Sequence, residues 1–195
     1  MKKNTAVTGT LILAAAGLTT RLIGFIYRIL MSRWIGSEGM GLFGLISPVY
    51  SFAFTLCGSG TYMAISKLVA EARSDREAAR LLLPSLFLTV SLGTAATLTL
   101  QFLADPLGHG LLGDIRTIRP LRLISLALPF CAAGNCFKAY FLGVRRMGIP
   151  AASQILEQLL RMGVIGGLAL YLSPDDLEAA CLIVVLGNVA GELFS

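Results

Sequence analysis

Arg21, Arg28, Glu157 and Arg161 stand inside stretches that are otherwise almost wholly apolar. A charge near the centre of a membrane helix costs about 2.5–3.5 kcal/mol even on insertion scales, so a chain keeps one only where it faces protein, water or an ionic ligand. Arg21 and Arg28 lie seven residues apart in VTGTLILAAAGLTTRLIGFIYRILMSRWIGSEG (7–39). At about 100° per residue they share one helix face, roughly 10 Å apart along the axis. Arginine offers a planar fork of N–H donors that suits phosphate, and it stays charged at any working pH. That face reads as the wall of a polar cavity that accepts an anion. The other reading of Arg21 is a cation that caps or pairs within a helix bundle. The other reading of Arg28 is an interfacial position from which the side chain snorkels to water. Glu157 and Arg161 are four apart, acid first, which is the spacing of an intrahelical ion pair. Either the pair neutralises itself, or Glu157 titrates or binds a cation while Arg161 joins the cavity. Gln154 and Gln158 extend this polar face over two turns.

The surroundings of these charges set the class. Of 195 residues, 55% are hydrophobic and 14% charged, against about 25% charged in a soluble domain, and the mean hydropathy is +0.77. The chain is an integral membrane protein. Its net charge of +5 is then a matter of basic connections on one side of a membrane rather than of nucleic acid. Cys57, Cys131, Cys136 and Cys181 lie in apolar segments without CxxC spacing and read as free buried thiols. His109 is alone in a loop, so no metal site is expected. No nucleophile–base set and no glycine-rich phosphate loop after a strand occurs, so neither enzyme chemistry nor a cofactor is expected. Lys2, Lys3 and the following apolar run mimic a signal peptide, but the run continues as patterned sequence past Arg21 without a cleavage site.

Six candidate spans follow, each near the roughly 20 residues needed to cross the hydrocarbon. They cover about 7–30, 40–65, 81–104, 121–144, 151–172 and 179–195. Gly36, Ser37 and Glu38 make the first turn. Residues 67–80 form a charged surface linker, 105–120 a loop, 145–150 a tight turn and 173–178 an acidic turn. Pro84 falls in the first turn of its span, where proline is tolerated. Pro48 and Pro129 lie within spans and are either hinges for alternating access or static kinks. Gly187 and Gly191 form a GxxxG pattern suited to close packing. Asn135 and Asn188 suit interhelical hydrogen bonds. Nine basic residues fall on one side of this layout: Lys2, Lys3, Lys67, Arg73, Arg76, Arg80, Lys138, Arg145 and Arg146. Four fall on the other: Arg33, Arg116, Arg119 and Arg122. The bias places the N-terminus in the cytoplasm. The final GNVAGELFS has no basic tail, so the sequence is expected to be part of a larger architecture.

The stretch GTLILAAAGLTTRLIGFIYRILMSRWIGSEGMGLF (9–43) resembles the start of the stage V sporulation protein B group. That group belongs with the MurJ-like lipid II flippases in the multidrug/oligosaccharidyl-lipid/polysaccharide exporter superfamily. The likeness continues through AISKLVAEA (64–72), LLGDIRTIRPLRLISLALPF (111–130) and FKAYFLGVRRMGIPAASQILEQLLRMG (137–163), and so covers essentially the whole chain in order. The resemblance implies an all-α, two-lobe transporter with six helices per lobe around a central cavity, of which this chain is the first lobe. It implies a lipid-linked anionic substrate, a polyprenyl-diphosphate sugar, moved across the bacterial cytoplasmic membrane among membrane lipids. The family's arginine before an aliphatic pair and Gly-Phe matches Thr20-Arg21-Leu22-Ile23-Gly24-Phe25, which gives Arg21 that role. A second arginine, which MurJ-like members often carry two residues after the Gly-Phe pair, is replaced by Tyr27 and followed by Arg28. The alternatives are a cation-coupled multidrug exporter of the same superfamily, which would want acids in its cavity, and a non-transporting membrane partner in sporulation or envelope assembly. Half a transporter needs a second lobe or a homodimer partner, so the 195-residue chain alone is expected to be inactive.

Overall fold

A computed structural model of the chain describes residues 2–72, 74–171, 184–189 and 191. Helix α1 covers Lys2–Glu71, a long and mostly apolar run with one break in its helical backbone. Gly36 takes φ 75°, ψ −178°, a left-handed conformation that costs a residue with a Cβ but not glycine. It divides α1 into two arms at the position of the expected first turn. Hydroxyls along both arms bond back to their own helix: Thr20 Oγ1 donates to Ala16 O (2.6 Å) and Thr55 Oγ1 to Ser51 O (2.8 Å). In hydrocarbon this satisfies groups that would otherwise lack water.

Helix α2 covers Asp75–Pro106. The Ser74 hydroxyl caps it by accepting the N–H of Glu77 at 3.2 Å, which stabilises a helix start by about 1 kcal/mol. The helix therefore begins six residues before the expected span, and Pro84 stands in its interior rather than its first turn. A π-helical turn at Leu107–Leu111 and a 3₁₀ turn at Ile115–Thr117 follow, with Gly113 at φ 66° between them. The expected loop at 105–120 thus has helical structure at most positions.

Helices α3 (Ile118–Ser125) and α4 (Leu128–Gly143) take the place of the fourth span and are bent by 42° across the break between them. The break lies ahead of Pro129, which sits in the first turn of α4. Side chains of α2 satisfy the exposed end of α3. Thr97 Oγ1 donates to Ser125 O (2.8 Å), and Gln101 Nε2 donates to Arg122 O (2.9 Å) and Ser125 Oγ (3.0 Å). Such partners hold a broken helix inside a membrane, since the last carbonyls of a helix have no partner of their own.

Helix α5 covers Gly148–Tyr171. A turn containing Arg145 at φ 63° precedes it, with the Arg146 N–H bonded to Phe141 O at 2.9 Å. Residues 184–189 are helical. The acidic turn at 173–178 and most of the sixth candidate span lie outside the described residues.

The chain is an all-α, polytopic membrane protein. Among the described residues there is no strand. Among these residues two helices, α1 and α2, are long and apolar enough to cross a bilayer, and α3 with α4 makes a third if the bent pair is taken as one span. Apolar side chains cover the outside: Phe87 and Phe102 are each 78% exposed, as lipid-facing residues are. Ion pairs tie the connections together, Arg116 Nη1 to Glu38 Oε1 at 3.0 Å and Arg122 Nη2 to Asp105 Oδ2 at 2.7 Å.

Candidate functional site

Helix α5 lies along the first arm of α1 and runs in the same direction. Gln154 shares a cleft with Arg21. A side-chain carbon at Gly24 would stand 3.5 Å from Gln158 Nε2. Farther along, Ile165 packs with Met31 and Ile35. The partner numbers rise together, so the stripe of α5 at 154, 158, 161 and 165 meets the stripe of α1 at 21, 24, 27 and 31. Both stripes follow the three-to-four spacing of a helix face. The upper part of this seam is polar and its lower part is apolar.

Glu157 stands at one edge of the seam and holds two cations. Its Oε1 accepts from Arg161 Nη2 at 2.8 Å and its Oε2 from Lys138 Nζ of α4 at 3.0 Å. The three side chains are only 15–20% exposed. The expected pair is therefore a triad that joins α4 to α5, with a formal charge of +1. Lys138 was grouped above with the basic residues of the connections. It lies instead inside α4, five residues from its end, and eight basic residues remain against four in the count of connections. The lone lysine in the apolar run LPFCAAGNCFKAYFLG was the signal for this role, because a membrane helix retains such a group only when it has a partner.

Gly187 and Gly191 let the last described helix lie directly on α5. A side-chain carbon at Gly191 would stand 3.2 Å from Arg161 Cβ and 3.3 Å from its Nε, and one at Gly187 would overlap Ile165. The GxxxG pattern thus packs against the triad. Asn188 Nδ2 donates to Val184 O within its own helix at 2.8 Å.

Arg21 and Arg28 are exposed, and neither makes an ion pair or side-chain hydrogen bond with the described residues. They occupy separate recesses. Arg21 lines an open cleft of about 370 Å³ with Gly17, Thr20 and Gln154. Arg28 lines a cavity of about 350 Å³ between the two arms of α1, with Tyr27 from the first arm and Ser47 and Pro48 from the second. Both stand on the unbroken first arm of α1, but their neighbours differ: the second arm lines the Arg28 cavity and α5 lines the Arg21 cleft. Pro129 is remote from both recesses in its contacts; it packs at Gly93 of α2. Tyr27 adds a group that sequence reading passed over. Its hydroxyl is buried without a hydrogen-bond partner among the described residues, an arrangement that costs about 1–3 kcal/mol unless another group accepts the bond.

Cys57, Cys131 and Cys136 form no disulfide among the described residues, and Tyr50 Oη meets Cys131 Sγ at 3.1 Å; Cys181 lies outside the described residues. His109 is exposed in the π-helical turn. Among the described residues no three metal-ligating side chains come together.

A polar, cationic seam within apolar helices fits the comparison with known proteins. Residues 6–195 match the polysaccharide biosynthesis protein family. The chain belongs to that family. Within it, the chain is 39% identical over 198 residues to "Stage V sporulation protein B" of Bacillus subtilis (strain 168), a match covering all of this chain and 38% of the relative. It is 28% identical to "Uncharacterized membrane protein YabM" of the same organism, over 95% of this chain and 35% of the relative. It is 25% identical to "Lipid II flippase MurJ", again of that organism, over 79% of this chain and 30% of the relative. The match therefore spans only 30–38% of the length of these relatives. No solved structure matches it.

Proposed function

We propose that this chain is the first lobe of a flippase-type transporter. The protein moves a lipid-linked cell-wall or polysaccharide precursor, a polyprenyl-diphosphate sugar, across the bacterial cytoplasmic membrane. The observation that carries this reading is the state of Arg21 and Arg28. Each is exposed in an open recess and has no acid against it among the described residues. Exposed arginines on a membrane helix are retained where an anion meets them, and a diphosphate suits the donor fork of arginine. Glu157 is engaged by Lys138 and Arg161, which supports an anionic substrate over cation-coupled multidrug export. The polysaccharide biosynthesis family and the name of one relative, a lipid II flippase, point the same way.

In this reading the lobe has six spans with both ends in the cytoplasm, and a second lobe or a second copy supplies the opposite cavity wall. Reporters fused after Arg76 and after Ser173 should lie in opposite compartments; finding both on one side contradicts the six-span lobe. The decisive test of function is complementation of a flippase-deficient strain. The protein with its second lobe should restore growth, while the 195-residue chain as a monomer should not. Failure of the two-lobe protein to transport any lipid-linked sugar would favour a non-transporting partner in envelope assembly.

A further inference from the structure

Arg28 lines a second recess besides its cavity. This recess has a volume of about 350 Å³ and lies on the first arm of α1, with Phe25, Ser32 and Arg33 among its walls. Arg28 and Met40 line both spaces. At about 100° per residue, Tyr27, Met31 and Ile35 of the cavity fall to one side of Arg28, and Phe25, Ser32 and Arg33 of the recess fall to the other. Arg28 therefore stands on the ridge between the two spaces and borders each.

The recess is lined by two cations and no acid. Arg33 is exposed, and like Arg28 it makes no ion pair or side-chain hydrogen bond with the described residues. Glu38 is the first acid in the sequence, and Arg116 Nη1 already holds it at 3.0 Å. Ser32 Oγ makes no hydrogen bond with the described residues either. By contrast, Thr19, Thr20, Thr55 and Ser59 of the same helix each donate to the carbonyl four residues back. Two guanidinium forks and a hydroxyl make a donor set that suits a phosphate group. Snorkelling to water explains a single arginine near the end of a span. Two like charges lining one recess repel each other, and an anion between them replaces that repulsion with attraction.

We infer that Arg28, Ser32 and Arg33 form a second phosphate subsite, which takes the diphosphate of the lipid-linked substrate from the cavity between the two arms. The inference rests on the function proposed above. Five residues separate Arg28 from Arg33, about 7.5 Å along the helix axis. With the N-terminus in the cytoplasm, Arg33 marks the outer end of this arm. Because Arg28 borders both spaces, the diphosphate passes from one to the other without leaving a cation, and its charge is never bare in the hydrocarbon. The phosphate of a bilayer phospholipid has the same chemistry, and the experiment separates the two sources.

The test uses the intact two-lobe protein in nanodiscs of neutral phosphatidylcholine, titrated with farnesyl diphosphate. Arg33→Ala should weaken binding about tenfold, the loss expected for one charge-assisted bond, and Arg33→Lys should weaken it less. Arg28→Ala should also weaken binding. The double variant should lose less than the product of the two single losses, because residues on one ligand are coupled. Should Arg33→Ala not reach the membrane, Arg33→Gln, which keeps most of the side chain, takes its place. The loss in the Arg33 variant should persist when phosphatidylglycerol is added to the nanodisc in excess over the ligand. Wild-type affinity in the Arg33 variant, or single losses that simply multiply, overturns the subsite alone. A difference that vanishes with phosphatidylglycerol also overturns it and makes the recess a site for bilayer headgroups. If wild type binds no diphosphate, the function proposed above fails and the subsite fails with it.

Discussion

The α2–α4 seam and the polar seams along α5 hold the same lobe together by opposite means. Between α2 and α4 the backbones nearly touch. A side-chain carbon at Gly93 would stand 2.9 Å from Pro129 Cα and 3.1 Å from Ala132 Cβ, and Thr97 reaches the end of α3. The far end of α4 is sealed likewise against α1, where a side-chain carbon at Gly143 would come within 2.9 Å of Ser66 O. The first arm of α1 meets α5 along Arg21, Gly24, Gln154 and Gln158, with a cleft left beside Arg21, and α5 is bonded in turn to α4 through the triad around Glu157. Where no hydrophobic force acts between helices, close packing of small residues and polar bonds between side chains are the two available forms of adhesion. The first leaves no space for a ligand. The second retains charge at a recess, so the cleft and the cation occur in the polar seam.

Substitutions separate the two forms of adhesion. The largest expected loss is at Glu157. Glu157→Gln leaves Lys138 and Arg161 without their shared acid, and breaking a buried pair from one side costs about 3–5 kcal/mol. Replacing all three with apolar residues of similar volume, Lys138→Met with Glu157→Leu and Arg161→Met, should recover most of that loss, because the set of charges is then gone together. Unfolding in detergent measures both. Equal stability of the single and triple variants would mean that the triad does not hold α4 to α5.

Gly93→Ala tests the closed seam. The added carbon meets backbone rather than a flexible side-chain end, and overpacking of this kind costs about 1–3 kcal/mol. The same substitution at Gly17, which has open space around it on the polar seam, should be neutral or slightly stabilising through helix propensity. Comparable losses at both positions would erase the difference between the seams. Thr97→Val should cost about 1 kcal/mol, the net value of its bond to Ser125 O. The smallest effect is expected at Glu38→Ala. Its pair with Arg116 is 73% and 56% exposed, and exposed pairs contribute under about 1 kcal/mol.

The helices and their charges were legible in sequence because a membrane forces both: long apolar runs cannot be anything else, and each intramembrane charge stands out against them. Gly36 was legible as a turn because only glycine takes its φ without cost. The partner of Glu157 was only half legible. The four-residue spacing announced Arg161, but Lys138 lies 19 residues away on another helix, and no local rule joins the two. The bend ahead of Pro129 was misplaced for a similar reason, since Thr97 and Gln101 of α2 satisfy the broken end. The division of Arg21 and Arg28 between two recesses depends on how the second arm of α1 folds back, which helical periodicity does not report. The family resemblance supplied what periodicity lacked, an anionic lipid to set against the arginines.

Arg21 is the residue on which the proposed anion site stands most plainly, since it lines the polar cleft and has no acid against it among the described residues. The most direct measurement is transport by the intact protein carrying Arg21→Ala, alongside its abundance in the membrane. Transport should be abolished while abundance stays near wild type, because removing an exposed cation that no described residue pairs leaves the packing untouched. Arg21→Lys should retain only part of the activity, keeping the charge but losing the donor fork. Normal transport by Arg21→Ala, or its loss from the membrane altogether, would contradict the assignment and make Arg21 a residue of structure rather than of substrate.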